Sequence, residues 1–373
     1  MKSPYISTIK LPQFSLWEKE KKAKNLISFD LEITARCNLN CRHCYVNLPV
    51  NDHGAKTKEL NFDELKRIVD EAFSLGALWC LITGGEPLLR EDFFDIYLYL
   101  KQKGLLVSIF TNATLITSRH IKLFQQYPPR DIEVTVYGVT EETYETVTRS
   151  KGSFKAFMRG LNLLLENKIK VRLKAMALRS NVGELAKIAR FCRKYTKDYF
   201  RFDPLLHLRF DANPKRNEEI ISERLDAAKI VEIEKRDSER SEALRKGCDK
   251  LINHKFGQYA CDHLFHCGTG VGSFYVSYDG FLKLCSSLNH SECIYNLRHG
   301  SLHYAYKTFI PKVRIMRSGN PEFLTKCRRC PIINLCLWCP AHAYLETGRL
   351  DTPVDYFCKV AYARAKMLKP DFV

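Results

Sequence analysis

The stretch that decides the fold runs Ala35-Arg36-Cys37-Asn38-Leu39-Asn40-Cys41-Arg42-His43-Cys44-Tyr45. Thiols separated by three and then two residues can converge on one metal centre. Three ligands are one short of the four that saturate a zinc ion or a cubane cluster. On spacing alone a structural zinc knuckle with its fourth ligand elsewhere stays open as an alternative. The stretch follows Leu26-Ile27-Ser28-Phe29-Asp30-Leu31-Glu32-Ile33, whose near-alternating pattern reads as a strand. An incomplete thiol set just after a strand occupies the place where barrel enzymes carry their chemistry.

Outward from this point the chain alternates strand and helix patterns up to about residue 206. Asn61 with Glu64 three residues on is a capping box, and Leu65, Ile68, Val69 and Ala72 form an apolar stripe, so a helix is expected from Asn61 to Leu75. Gly76 ends it. Ala77 to Thr83 is a nearly unbroken apolar run, as for a strand buried on both faces. Further strands are expected at Leu105–Phe110, Ile132–Val136, Val171–Ala177 and Tyr199–Leu205. About six such units predict an α/β fold with a parallel sheet, too few strands for a closed eight-fold barrel. The second strand ends in Thr83-Gly84-Gly85-Glu86-Pro87, where two glycines allow close backbone approach and the carboxylate suits an ammonium group.

The chain has 373 residues, 15 of them cysteine, and 59 Lys and Arg against 42 Asp and Glu give a formal net charge of +17. Hydrophobic residues make up 45%, which rules out wholesale disorder and allows roughly two domains. No apolar run reaches the ~18 residues of a membrane helix, and the N-terminus lacks the apolar core of a secretory signal. A cytoplasmic location is therefore expected, where thiols stay reduced and metal binding explains the cysteines better than disulfides. Phosphate-loop, His-Glu-x2-His and Gly-x-Gly-x2-Gly motifs are absent.

The cysteines fall in two zones. After the first three, Cys80, Cys192 and Cys248 are isolated, and the last third holds Cys261, Cys267, Cys285, Cys293, Cys327, Cys330, Cys336, Cys339 and Cys358. Cys80 and Cys192 read as core residues, Cys248 and Cys293 as bystanders near the second zone. Between the zones, Asn213 to Lys250 is charge-rich and helical in pattern, a bridge or a helix packed on the barrel. Phe274 to Leu284 reads as a hairpin about a tight Asp279-Gly280 turn, ending at Cys285. Spacing alone leaves zinc and iron–sulfur equally open for this second zone.

Together these motifs resemble the radical S-adenosylmethionine superfamily. The Cys-x3-Cys-x2-Cys signature, His43 before the third cysteine and the Gly-Gly-Glu-Pro strand end agree with it in order and spacing. The resemblance implies a partial (β/α)6 TIM-like barrel and a [4Fe–4S] cluster on Cys37, Cys41 and Cys44. Its open iron would chelate S-adenosylmethionine, whose reductive cleavage gives a 5′-deoxyadenosyl radical. Glu86 would meet the methionine ammonium, Gly84 and Gly85 would offer backbone groups, and Thr135 a hydroxyl to the ribose. Later motifs agree less well: Ala113 replaces the glycine of Thr-Asn-Gly, and Tyr137 stands where an aspartate is usual.

The second zone is similar to the small α+β cysteine-rich SPASM extension of radical SAM peptide-modifying enzymes. That likeness implies one auxiliary [4Fe–4S] cluster on Cys261, Cys267, Cys285 and Cys339, and another on Cys327, Cys330, Cys336 and Cys358, three clusters in all. One departure is the x2 gap before Cys339 where the pattern has x3. The expected organisation is an N-terminal extension 1–25, barrel 26–212, helical bridge 213–258 and SPASM domain 259–373. The implied activity is hydrogen abstraction from a ribosomally synthesised peptide or protein, giving a cross-link, epimerisation or oxidation. A small-molecule dehydrogenation or cofactor-biosynthesis step is the alternative. Asp203, at the end of the sixth strand, is a candidate base. The implied partners are a peptide or protein substrate, acidic in view of the basic surface, and an electron donor such as flavodoxin or ferredoxin. Nucleic acid and membrane are not expected.

Overall fold

The computed structural model describes residues 26–196, 200–253, 261–336 and 338–371. The expected N-terminal extension, Tyr199 and residues 254–258 of the expected bridge lie outside them. Six strands lie side by side in chain order, every neighbouring pair parallel: β1 Ser28–Glu32, β2 Trp79–Thr83, β3 Leu106–Thr111, β4 Asp131–Val136, β5 Val171–Met176 and β6 Arg201–Asp203. Helices α1 Phe62–Ser74, α2 Phe93–Gln102, α3 Ser118–Gln126, α4 Glu141–Thr148, α5 Ser153–Glu166 and α6 Leu185–Tyr195 return the chain between strands. This is the α/β, parallel-sheet architecture the alternating pattern predicts.

Helix α1 forms for the reasons legible in its residues. Asn61 Oδ1 accepts from the Glu64 N–H at 2.9 Å, and the Glu64 carboxylate accepts from the Asn61 N–H at 2.8 Å. Leu65, Ile68, Val69 and Ala72 are its buried residues. Strand β2 departs from expectation. Cys80 and Ile82 are buried, but Trp79 and Leu81 are half-buried and Leu78 is exposed. Only one face of β2 packs on helices; the other faces the lumen of an open barrel, which six strands curve around without filling. Cys80 and Cys192 lie in the core, as expected.

Among the described residues the cysteine-rich region builds no sheet of its own. Strand β7, Ser273–Val276, pairs in parallel with β1, and β8 Phe281–Lys283 and β9 Tyr295–Asn296 follow antiparallel, giving one nine-stranded sheet. The Phe29 and Phe274 rings stack across the join at 5.6 Å. Gly280, at φ +89°, supplies the left-handed residue of the Asp279-Gly280 turn.

The charge-rich segment is helical: α7 Pro214–Glu223, α8 Ala227–Arg236 and α9 Ser238–Lys246. The last two long helices are α10 Pro340–Thr347 and α11 Asp355–Leu368. Helix α8 packs on α11, where the Arg364 guanidinium donates to the buried Glu234 carboxylate at 2.7 and 2.9 Å. Helix α7 instead meets the loop carrying the first three cysteines. No helix among the described residues is long and apolar enough to cross a membrane.

Candidate functional site

The first cysteine loop leaves β1 and is fastened to the end of β2. Ile33 N–H donates to Thr83 O at 3.0 Å, Gly85 N–H to Thr34 O at 2.7 Å and Glu86 N–H to Arg36 O at 2.9 Å. A Cβ on Gly84 would lie 2.3 Å from Thr34 O, and one on Gly85 2.4 Å from Arg36 O. The glycine pair is thus read differently once folded. Bare Cα atoms there let two protein backbones meet, which places Cys37, and both glycines also stand in the wall of the cavity beyond. The buried Arg36–Glu59 ion pair, at 2.8 Å, fixes the same segment from its other side.

Cys37, Cys41 and Cys44 open onto one cavity at the C-terminal mouth of the barrel. Gly84, Gly85, Thr135 and Tyr137 line it as well. Its deeper wall holds the Lys174–Glu133 ion pair, with Lys174 Nζ 4.3 Å from the Phe110 ring centre. Two of the thiols have donors: Leu39 N–H and Asn112 Nδ2 to Cys37 Sγ at 3.4 and 3.8 Å, and Asn47 N–H to Cys44 Sγ at 3.4 Å. Burial and mutual repulsion push the Cys37 and Cys41 thiols well above their ordinary range. Thiolates gathered here need a cation to offset that cost, which fits the donor set of a metal cluster.

Glu86 is fully buried. Its Oε1 accepts from Leu88 N–H at 3.1 Å and Thr111 Oγ1 at 2.8 Å, and its Oε2 from Asn112 N–H at 2.7 Å. Burial lifts its carboxyl to about 7. It stands just behind the wall, with one lone-pair direction on Oε2 still open. Asp203 is half-exposed, 3.5 Å from Arg201, and is not among the residues lining the cavity. The fold turns it toward its strand neighbour rather than into the mouth.

Seven of the eight later cysteines form two neighbourhoods that interlace in sequence. Burial lifts the Cys285 and Cys339 thiols and charge at Cys267 adds to both, while burial and neighbouring thiolates lift Cys327 and Cys330, and a hydrogen bond between Cys336 and Cys358 raises the first and lowers the second to about 7. Cys261 is exposed and stands apart, 3.3 Å from His263 Nδ1 and 3.5 Å from His266 Nε2. Cys293 is buried with Sγ 3.8 Å from Met316 Sδ, and Cys248 packs in the apolar cluster beside Cys330 and Cys358. Among the described residues no three Cys, His, Asp or Glu side chains close on a single ion. One tetrahedral zinc would hold its sulfurs only about 3.8 Å apart, whereas a cubane ties each thiolate to its own iron.

The sequence reading missed several residues that the fold delivers here. Tyr137, which in sequence only replaces an aspartate, lines the cavity with its ring 5.1 Å from His43. His207 is in the cavity wall, stacked 4.8 Å from His342, whose N–H donates to Cys339 Sγ at 3.4 Å. Arg209, just before the segment read as a bridge, and Arg216, within it, reach the cysteine loop. No local spacing couples these positions.

Residues 31–192 match the radical SAM superfamily model, so this stretch is a radical SAM domain. The antilisterial bacteriocin subtilosin biosynthesis protein AlbA of Bacillus subtilis is 24% identical over 326 residues, 83% of this chain and 66% of that protein. An AdoMet-dependent heme synthase of Methanosarcina barkeri is 32% identical over 161 residues, 42% of this chain and 44% of that protein. The matches thus span 44% and 66% of these relatives' own lengths. The structure of Streptococcus suis SuiB bound to precursor peptide SuiA superposes with a TM-score of 0.66 at 15% identity, over 96% of this chain and 83% of that one. That likeness is one of fold.

Proposed function

From a radical SAM domain over residues 31–192, we propose that the chain cleaves S-adenosylmethionine reductively and uses the 5′-deoxyadenosyl radical to abstract hydrogen from a ribosomally made peptide or protein. Cys37, Cys41 and Cys44 hold the catalytic [4Fe–4S] cluster, which when bound supplies one electron to the sulfonium. Gly84 and Gly85 offer backbone groups to the methionine moiety, Glu86 takes its ammonium on the open Oε2 direction, and Thr135 meets the ribose. Cys267, Cys285 and Cys339, with Cys261 after a local rearrangement, hold one auxiliary cluster. Cys327, Cys330, Cys336 and Cys358 hold the other. Clusters bound at these two sites would supply an acceptor for the electron released when a substrate radical is oxidised. Flavodoxin or ferredoxin, both acidic, suits a chain of net charge +17 as donor.

The observation that carries this reading is three thiols, those of Cys37 and Cys41 buried and that of Cys44 half-buried, opening on one cavity beside Gly84, Gly85 and Thr135. Coverage favours a peptide substrate. The AlbA similarity runs over 83% of the chain, whereas the heme synthase similarity covers 42%. The higher identity of that shorter match, 32%, favours the second reading, a small-molecule dehydrogenation or cofactor-biosynthesis step. Co-expression with short peptides encoded beside the gene, read by mass spectrometry, tests the choice. Loss of two hydrogens from a peptide, or a D-residue at unchanged mass, supports peptide modification. Unmodified peptides with turnover of a small alcohol or porphyrin support the alternative.

A further inference from the structure

The cysteine loop is clamped by guanidinium groups that come from far along the chain. Arg209 is 2% exposed, and its Nη1 donates to Cys44 O at 3.3 Å, Asn47 O at 3.2 Å and Asn47 Oδ1 at 3.0 Å. Its Nε and Nη2 are held by the Asp211 carboxylate at 2.8 and 2.6 Å. Arg216, on α7, donates from Nη2 to Cys41 O at 2.8 Å and Asn47 Oδ1 at 3.1 Å, while Nη1 pairs with Glu219. Arg149 donates from Nε to Asn40 O at 2.9 Å, and its fork grips the same Glu219 at 2.6 and 2.7 Å. Backbone pairs Asn40 N–H to Thr148 O, 3.0 Å, and Phe210 N–H to Tyr45 O, 3.1 Å, complete the clamp.

The charges do not cancel. Arg149, Arg209 and Arg216 face Asp211 and Glu219, which leaves one net positive charge against the loop. Arg42, nearly half-exposed, is offset by Glu223 at 4.0 Å. Positive charge beside a cluster stabilises its reduced form, which carries one more electron, so such groups raise the reduction potential. Hydrogen bonds from guanidinium to the loop carbonyls add to this by fixing the thiols' positions and pulling electron density from the same backbone.

We propose that Arg209, Arg216 and Arg149 are positioning residues that hold the Cys41–Asn47 backbone and, through their excess positive charge, set the reduction potential of the cluster on Cys37, Cys41 and Cys44. The inference rests on that ligand assignment. In the step it governs, one electron from the reductant reaches the cluster and passes to the sulfonium. The S–C5′ bond breaks to give methionine and the deoxyadenosyl radical, which takes one hydrogen atom.

The test uses the full chain reconstituted anaerobically with iron and sulfide, dithionite as reductant and S-adenosylmethionine as the only ligand. The catalytic cluster is the one whose electron paramagnetic resonance signal changes when S-adenosylmethionine is added. Arg216→Gln should lower its midpoint potential and slow 5′-deoxyadenosine formation about tenfold. Arg216→Lys, keeping the charge, should restore most of the potential. Glu219→Gln should move the potential the opposite way, upward, a reversal no merely structural role produces. Potentials that stay at the wild-type value, or that fall in both Arg216→Gln and Glu219→Gln, overturn the proposal. If Arg216→Gln does not fold, the sign of the Glu219→Gln shift decides alone. A wild-type protein without any S-adenosylmethionine-responsive cluster would instead refute the enzyme reading itself.

Discussion

Gly85 is where the proposed cofactor site is most sensitive to one added carbon. In Gly85→Ala the new Cβ would lie 2.4 Å from Arg36 O, 2.5 Å from Ala35 O and 2.7 Å from the Arg36 carbonyl carbon. Ordinary contact begins near 3.4 Å, so segment 35–36 must retreat by about 1 Å. That retreat stretches Gly85 N–H to Thr34 O and Glu86 N–H to Arg36 O, now 2.7 and 2.9 Å, past hydrogen-bonding range. Two lost hydrogen bonds cost about 2 kcal/mol, and the overpacking about 1–3 kcal/mol more. Cys37, one residue on, moves with the strand end. After reconstitution the variant should bind roughly four fewer irons than the wild type and form no 5′-deoxyadenosine, with the later cysteine sites still loaded. Wild-type iron content together with wild-type cleavage would refute the claim that this close approach places the first cysteine loop.

Other substitutions read other parts of the site. A Cβ on Gly160 would lie 1.9 Å from Ala113 O, so Gly160→Ala should push α5 off the end of β3 and cost about 1–3 kcal/mol, seen as a lower thermal midpoint. Tyr137→Phe removes a cavity-wall hydroxyl that eases the rise of the Cys41 thiol and should lower the midpoint potential of the first cluster with iron content unchanged; an unaltered potential would show that hydroxyl to be inert. Burial lifts the carboxyls of Asp30, Glu32 and Glu86 to about 6, 7 and 7. Each keeps its proton in the fold at a pH where the unfolded chain has lost it, so their contribution is full below about 4 and lost as pH rises through 6 to 7. Glu32→Gln, uncharged throughout, should therefore shrink the fall in unfolding free energy from urea titrations between pH 5 and pH 8, by roughly 3 kcal/mol at the high end. An unchanged fall would show that Glu32 does not titrate in this range.

The parallel units, the α1 capping box and the incomplete thiol set were legible because each is written in neighbouring residues at a fixed period. Leu65, Ile68, Val69 and Ala72 announce their buried face without any tertiary contact. What was not legible depends on contacts between distant residues. Nothing near Arg209 says that it ends on the carbonyl of Cys44, 165 positions earlier. The glycines of Gly84-Gly85 could be seen to invite a close approach, but not that the approaching group is the backbone of residues 34–36. The β2 run looked buried on both faces because sequence cannot tell a filled barrel from an open one. The grouping of Cys267 and Cys285 with Cys339 likewise skips Cys327, Cys330 and Cys336 and needs the folded chain.

The central claim, that Cys37, Cys41 and Cys44 form the catalytic centre and the later cysteines form two others, comes down to one comparison. Wild-type protein and the Cys37→Ala/Cys41→Ala/Cys44→Ala variant are reconstituted side by side, and iron and 5′-deoxyadenosine are measured in each. The expected result is about twelve irons with cleavage in the wild type, against about eight irons and no cleavage in the variant. Cleavage retained by the variant, or zinc bound in place of iron by the wild type, would contradict it.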